Sequence, residues 1–408
     1  MEKRVILVVC DGLGDRPVEE LGGRTPLQAA ATPNLDWFAA QGACGQVDVI
    51  APGIRPGSDT AHLALFGYNP YEIYTGRGPF EAAGVRLDVQ EGDVAFRCNF
   101  ATLDKKGRVV DRRAGRIRVG TDELAASLTD MTLEGVRLAF RAGTEHRGAL
   151  VLRGTGLDPR VTDGDPHSVN VPVAEVKALA PAAEKTARVV NQFLRQARDV
   201  LSTHPVNKER LQNGQPPANA LLTRGAGRMA DIRPVTEKWG LRFAAVAGVA
   251  LVKGICRVVG MDLLSVEGAT GGLDSDLDAK ISAGMGGLED HDVVVVSIKA
   301  PDIAAHDGKP DEKARVIERI DQSLGPLREA FREEWVFGVT ADHTTPSATG
   351  DHSADPVPLL VYGEGIRTDE VTRYDEMAVT KGSLARLRGV DVLPLLLDLA
   401  DRTEKFGA

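Results

Sequence analysis

The chain has 408 residues, 43% hydrophobic and 26% charged, with a formal net charge of −9. This composition is ordinary for a globular protein that buries a full core, either as one large α/β body with an insertion or as two or three domains. The acidic balance argues against nucleic acid as the main partner.

The first apolar run, Val5 to Cys10, is too short for a signal peptide and is followed by Asp-Gly instead of a cleavage site. It reads as a strand with Asp11 at its end. The longest uncharged apolar stretch, Phe243 to Val252, is far below membrane-spanning length, so a soluble cytoplasmic protein with no membrane partner is expected. Cys10, Cys44, Cys98 and Cys256 are scattered, with no CxxC pair, and are expected to stay reduced. A helix is expected over Thr32 to Gln41, where a Thr cap, a Pro just inside the start and a Gly just past the end frame the segment.

In PGIRPGSDTAHLALFGYNP, Ser58 sits between Gly57 and Asp59 ahead of an apolar helical run. There it is either a plain helix cap or a nucleophile placed where free backbone N–H groups favour a bound phosphate. PGSDT is not the G-x-S-x-G elbow of serine hydrolases. A nucleophilic Ser58 would therefore be activated by a metal instead of a histidine base.

From about Asp111 to Thr203 the pattern departs from βα alternation: the short runs VRLAFRAG and GALVLRG are followed by an Ala-rich helical pattern from Val176 to Leu201. This reads as an inserted α+β lid, relatively basic in an acidic chain. Its densest stretch, Arg108 to Arg118, holds five arginines and one aspartate, and guanidinium forks suit carboxylate and phosphate groups. Beyond it, Ala220 to Thr223 reads as a strand followed by Arg224 and a Gly-rich turn. No P-loop or dinucleotide fingerprint occurs, so ATP and NAD are not implied. Lys253 follows the apolar run AAVAGVALV and would be a point charge near the crevice of the sheet.

Two later strands end in metal-ligand chemistry. VVVVSIKAPDIAAHDG places Asp302 and His306 four residues apart, on one face of a helical turn. VFGVTADHTTPSATGDHSADPVPLLVY, Val336 to Tyr362, presents Asp342, His343, Asp351, His352 and Asp355 on a loop between two strands. An α/β sheet opens its crevice at the carboxyl ends of parallel strands, and mixed carboxylate and imidazole ligands suit Mn²⁺, Zn²⁺ or Co²⁺. With Asp11, three strand ends converge on a metal site.

Together VVCDGLGD, LGGRTPLQAAATPNLD, PGSDTAHLALFGYNP, YTGRGPFEAAG, KAPDIAAHDG and TADHTTPSATGDHSADPVPLLVYG closely resemble the archaeal type of cofactor-independent phosphoglycerate mutases, members of the alkaline phosphatase superfamily. The resemblance runs over nearly the whole chain. It implies two divalent ions, manganese first, with magnesium, cobalt or zinc as alternatives. One would be held by Asp11, Ser58, Asp342 and His343, the other by Asp302, His306 and His352, with Ser58 transiently phosphorylated. It also implies substrate contacts from Arg112, Arg116, Arg147, Arg224, Lys253 and His62, with Asp111 as proton shuttle and a lid that closes over 3-phosphoglycerate or 2-phosphoglycerate.

The fold expected is a doubly wound, mainly parallel α/β sheet formed from 1–110 and 206–408, an alkaline-phosphatase-like core, with the smaller α+β lid at 111–205. The rival readings are a metal-dependent phosphatase or phosphotransferase acting on another small alcohol, and a metal-stabilised binding module without catalysis.

Overall fold

Continuous apolar runs rich in Val and Ile suit strands buried on both faces of a parallel sheet, and Val5–Cys10, Val293–Ile298 and Trp335–Thr340 are buried throughout. The structure is a computed structural model that describes residues 2–407. Its strands are β1 (Arg4–Cys10), β2 (Ala43–Asp48), β3 (Val94–Leu103), β4 (Val109–Asp111), β5 (Met131–Leu133), β6 (Val136–Ala142), β7 (Arg147–Arg153), β8 (Ala220–Gly227), β9 (Phe243–Val246), β10 (Asp262–Leu263), β11 (Val293–Ile298), β12 (Trp335–Thr340), β13 (Val357–Gly363) and β14 (Ala385–Arg388).

The chain divides into two compact units, 1–73 with 232–408, and 74–231. In the first, eight strands form a sheet in the order β10-β9-β11-β1-β12-β13-β2-β14. All neighbours pair in parallel except at β13, which runs antiparallel to both β12 and β2. Chain order jumps across β1, so the sheet is doubly wound and mainly parallel, with its crevice at the strand carboxyl ends around β1. The helix expected near Thr32 spans Pro33–Gln41. No helix of the described residues is long and apolar enough to cross a membrane.

The second unit is built on an antiparallel sheet, β4-β3-β7-β6-β5, with β8 also paired to β3. One face packs Phe96, Cys98 and Phe100 of β3 with Leu150 and Leu152 of β7 against Val190, Phe193 and Ala197 of the helix Glu184–Thr203. On the other face Ala95, Ala149 and Val151 pack against Ala82 of the helix Gly78–Gly84. A Cβ on Gly78 would lie 2.0 Å from the Ala95 carbonyl oxygen, so only glycine lets this helix approach the strand so closely.

Two expectations need correction. The inserted unit does not begin at 111 or end at 205: β3 pairs with both β7 and β8, so 74–110 and 206–231 belong to it, and the boundaries fall at 73/74 and 231/232. The helical pattern read from Val176 becomes an α-helix only at Glu184, after a 3-10 turn over Pro181–Ala183, because Pro181 cannot continue a helix from residues before it.

Candidate active site

β11, β1 and β12 are adjacent and parallel, with Cys10 opposite Ile298 and Val9 opposite Thr340. Their carboxyl ends therefore lie side by side, and Asp11, the Lys299–Asp302 turn and the Asp342–His343 pair leave the sheet together. Gly12 adopts φ +64°, and a Cβ there would come 2.7 Å from Asp302 Cβ; glycine lets the first loop lie against Asp302. The Gly12 N–H donates to Asp342 Oδ1 at 3.0 Å.

Among the described residues, two groups offer ligand atoms within 4.8 Å of one another: Asp302, His306 and His352, and Asp11, Asp302 and His343. Asp302 is common to both. His343 Nε2 also lies 3.2 Å from Asp342 Oδ2 and 3.4 Å from Asp11 Oδ1. Each imidazole is oriented from behind: His306 Nδ1 pairs with Gly350 O at 2.7 Å, His352 Nδ1 with Pro56 O at 2.8 Å, and His343 Nδ1 with Thr345 Oγ1 at 2.9 Å. Nδ1–H donates in each pair, which turns Nε2 toward the carboxylates, the arrangement that holds metal-binding histidines.

The electrostatics fit a divalent cation. Asp11, Asp302 and Asp342 are each at most 1% exposed, and buried Asp11 Oδ2 and Asp342 Oδ2 have no hydrogen-bond partner. Burial, then the charge of Asp342, pushes the Asp11 carboxyl up to about 8. Burial, then the charge of His343, holds His352 down at about 4, so it is neutral and able to ligate near neutral pH. Closely spaced buried carboxylates of this kind need positive charge among them.

Ser58 is the first residue of the helix Ser58–Leu65; Gly57 occupies the cap position, which leaves the serine hydroxyl clear of capping. Ser58 Oγ lies 3.2 Å from His343 Nε2 and 3.5 Å from Lys299 Nζ. Lys299 Nζ also donates to Asp11 Oδ1 at 2.7 Å and pairs with Asp302 Oδ2 at 2.5 Å. The hydroxyl thus faces positive charge at a helix N-terminus.

His62, expected to contact substrate, is 0% exposed. Its Nδ1 donates to the Ser58 carbonyl at 2.7 Å, one helical turn back, so it braces the turn beneath the nucleophile. Asp351 and Asp355 stay outside the cluster: the Asp351 side chain is exposed, and Asp355 pairs with Arg16 at 2.9 Å. Lys253 is on the helix Ala250–Val258, near Lys280, whose Nζ donates to Ser297 O in β11.

In the unit 74–231, Asp111 closes β4 and accepts from the N–H groups of Arg113 at 2.7 Å and Gly115 at 2.6 Å, shaping the arginine-rich turn. Arg112 spends its fork on Asp165, at 2.9 and 2.7 Å. Burial, then the charges of Arg147, Arg113, Arg97 and Arg116, hold His146 down at about 3, so these arginines crowd one place. Arg224 lies directly across from Arg97 in the β3–β8 pairing.

Lys299, Thr345, Arg77, Arg97 and Glu81 escaped sequence reasoning. Lys299 stands at a strand end like the aspartates, and a charge inside the buried run VAFRCNFATL was a signal for Arg97. Thr345 carried no signal, since only the fold brings its hydroxyl between His343 and Asp302.

A family profile described as 2,3-bisphosphoglycerate-independent phosphoglycerate mutase matches residues 39–207. A protein of that name from Methanopyrus kandleri is 49% identical, over 100% of this chain and 99% of its own length. One from Methanothermobacter thermautotrophicus is 47% identical, over 99% of each. Among solved structures, the PH0037 protein of Pyrococcus horikoshii superposes with a TM-score of 0.87 at 41% identity, covering both chains fully. The cofactor-independent phosphoglycerate mutase of Thermoplasma acidophilum superposes with 0.69 at 40% identity, covering 98% of this chain and 100% of that one. The chain therefore belongs to the 2,3-bisphosphoglycerate-independent phosphoglycerate mutases.

Proposed function

We propose that Ser58 carries the phosphoryl group in the interconversion of 3-phosphoglycerate and 2-phosphoglycerate, the glycolytic and gluconeogenic isomerase reaction of this family. The observation that supports it most is the placement of the Ser58 hydroxyl, at a helix N-terminus and within 3.5 Å of both His343 and Lys299. The Ser58 hydroxyl gives up its proton as Oγ attacks phosphorus, the ester P–O bond of the substrate breaks, and the departing glycerate oxygen takes a proton. The other glycerate hydroxyl then gives up its proton and attacks the phosphoserine, which restores Ser58 and releases the isomer. Lys299 presents positive charge to the group in transit.

Two divalent ions, manganese first among them, fit the residues present: Asp11, Ser58, Asp342 and His343 would hold one, and Asp302, His306 and His352 the other. When bound, such ions neutralise charge on a transferring phosphoryl group and favour the ionised hydroxyl.

Within 74–231, Asp111 is the proton shuttle of this reading, because each carboxylate oxygen that accepts a backbone N–H keeps a second lone pair for a substrate hydroxyl. Arg116, Arg147 and Arg224 bind substrate anions, while Arg112 acts through Asp165. Lys253 is the phosphate contact of the larger unit.

The test supplies 3-phosphoglycerate and Mn²⁺ without bisphosphoglycerate and follows both 2-phosphoglycerate and free phosphate. The mutase reading expects 2-phosphoglycerate with little free phosphate. Free phosphate as the main product would favour the phosphatase alternative.

A further inference from the structure

The face of the smaller sheet that meets the helix Gly78–Gly84 changes character along its strands. At one end Ala95, Ala149 and Val151 pack with Ala82, and at the other Ala101, Ala220 and Leu222 form a second apolar cluster. Between them the pairing Arg97–Arg224 across β3–β8 and the pairing Asn99–Arg147 across β3–β7 set three arginines on one face. Like charges directly opposite in a sheet are destabilising, and Arg97 is only 6% exposed, with a buried Nε that has no hydrogen-bond partner. Packing alone gives no reason for such a stripe.

Two buried acids bear on it: Asp165, 2% exposed and already bonded to Arg112, acts on Arg224, and Glu81 reaches into the stripe itself. Glu81, 3% exposed, lies 2.9 Å from Arg77 Nε and 3.6 Å from Arg97 Nη1. Against the burial that would raise it, the charges of Arg77, Arg97 and Arg147 hold its carboxyl below the usual range. Glu145 is 3.9 Å from Arg147 but closer to Arg118, at 2.8 Å. Glu81 among Arg77, Arg97, Arg147 and Arg224, with Asp165 beside Arg224 but bonded through both oxygens to Arg112, leaves a surplus of partly desolvated positive charge, which suits a bound anion.

We infer that Glu81 is a positioning residue for an anion site in which Arg77 and Arg97 join Arg147 and Arg224 to hold the carboxylate of the phosphoglycerate. The inference rests on the substrate reading above. The phosphoryl group changes partners in the reaction, so the carboxylate is the anionic group that a fixed arginine cluster can hold throughout. Glu81 spaces the guanidiniums, and the stripe rejects phosphate esters that lack a carboxylate.

The test uses the full chain with Mn²⁺ and compares binding of 3-phosphoglycerate with that of glycerol 3-phosphate, which has no carboxylate, in wild type and in Glu81→Gln, Arg97→Met and Arg224→Met. Thermal unfolding is followed in parallel. Glu81→Gln and Arg97→Met are expected to cut the preference for 3-phosphoglycerate by roughly tenfold and to raise KM more than they lower kcat. Should Glu81→Gln fail to fold, Arg77→Met removes the partly exposed partner and carries the same expectation.

If these variants lose thermal stability but keep the wild-type preference while Arg224→Met loses it, Glu81 is merely structural and the inference is overturned. If Arg224→Met also leaves 3-phosphoglycerate binding unchanged, the substrate reading of these arginines fails, and the inference with it.

Discussion

Ser58 Oγ and His343 Nε2 lie 3.2 Å apart although 285 positions separate them in the chain. The contact exists because a helix start and a strand end are brought to the same edge of one sheet. If Ser58 is the phosphoryl carrier, Ser58→Ala should lower mutase turnover by roughly 10³-fold or more. Fold and most metal binding should survive, since the hydroxyl is not a cap. Steady-state turnover and circular dichroism of the variant check this; near-normal turnover would rule out the covalent route.

Thr345 is fully buried, donates to Asp302 Oδ1 at 2.8 Å and takes the Nδ1–H of His343 at 2.9 Å. It thereby ties a carboxylate and an imidazole of the candidate metal centre into one orientation. Thr345→Val keeps the shape and removes both bonds, so Mn²⁺ affinity should fall roughly 10- to 100-fold, while Thr345→Ser should restore most of it. Calorimetric titration with Mn²⁺ that finds Val and Thr equivalent would show that this hydroxyl does not orient the ligands.

These two residues mark how far the sequence was legible. The strands announced themselves by unbroken apolar runs, and the acids and histidines at their ends were visible because such residues rarely follow buried strands in a cluster. Ser58 stood out for its glycine-flanked turn. Thr345 could not be found, because a threonine in a polar loop looks like any other until β12 and β11 are set in register beside β1. The boundaries at 73/74 and 231/232 were hidden for a related reason: Ala220 to Thr223 read as an ordinary strand of the main sheet, and only the antiparallel pairing of β8 with β3 places both strands in the smaller unit. His62, which the resemblance implies as a substrate contact, lies buried with its Nδ1–H on the Ser58 carbonyl, a packing role that only the folded chain displays.

Activity should require a divalent ion and no bisphosphoglycerate: EDTA should abolish it and Mn²⁺ should restore it. The pH response follows from the ligands. The hydrogen bond to Asp302 raises His306 above its ordinary value of 6.5, with burial opposing, whereas His352 is held near 4. A histidine must shed its proton to bind metal. His306 is therefore the first of these two ligands lost to protons as pH falls, and apparent Mn²⁺ affinity should weaken from above pH 6.5 downward. A metal affinity flat between pH 8 and pH 5, or full activity in excess chelator, would contradict the assignment.

Glu376 gives a stability test away from the chemistry. Its carboxylate accepts from Thr25 Oγ1 at 2.8 Å and from the Asp15 N–H at 3.1 Å, yet burial outweighs these bonds and the charge of Lys313 and pushes it up to about 7. Unfolding returns it to about 4.5. Between those values the native state binds more protons than the unfolded chain, so this group's contribution to stability falls as pH rises from 4.5 to 7 and is constant above. Glu376→Gln removes the titration while keeping an acceptor for the Asp15 N–H. The stability of the variant relative to wild type should therefore rise between pH 5 and pH 8, by on the order of 2 kcal/mol given the partial exposure of the group. Urea unfolding of both proteins at the two pH values measures it. A difference that stays constant across that range would mean that Glu376 is already ionised at pH 5, and that its bonds to Thr25 and Asp15 outweigh its burial.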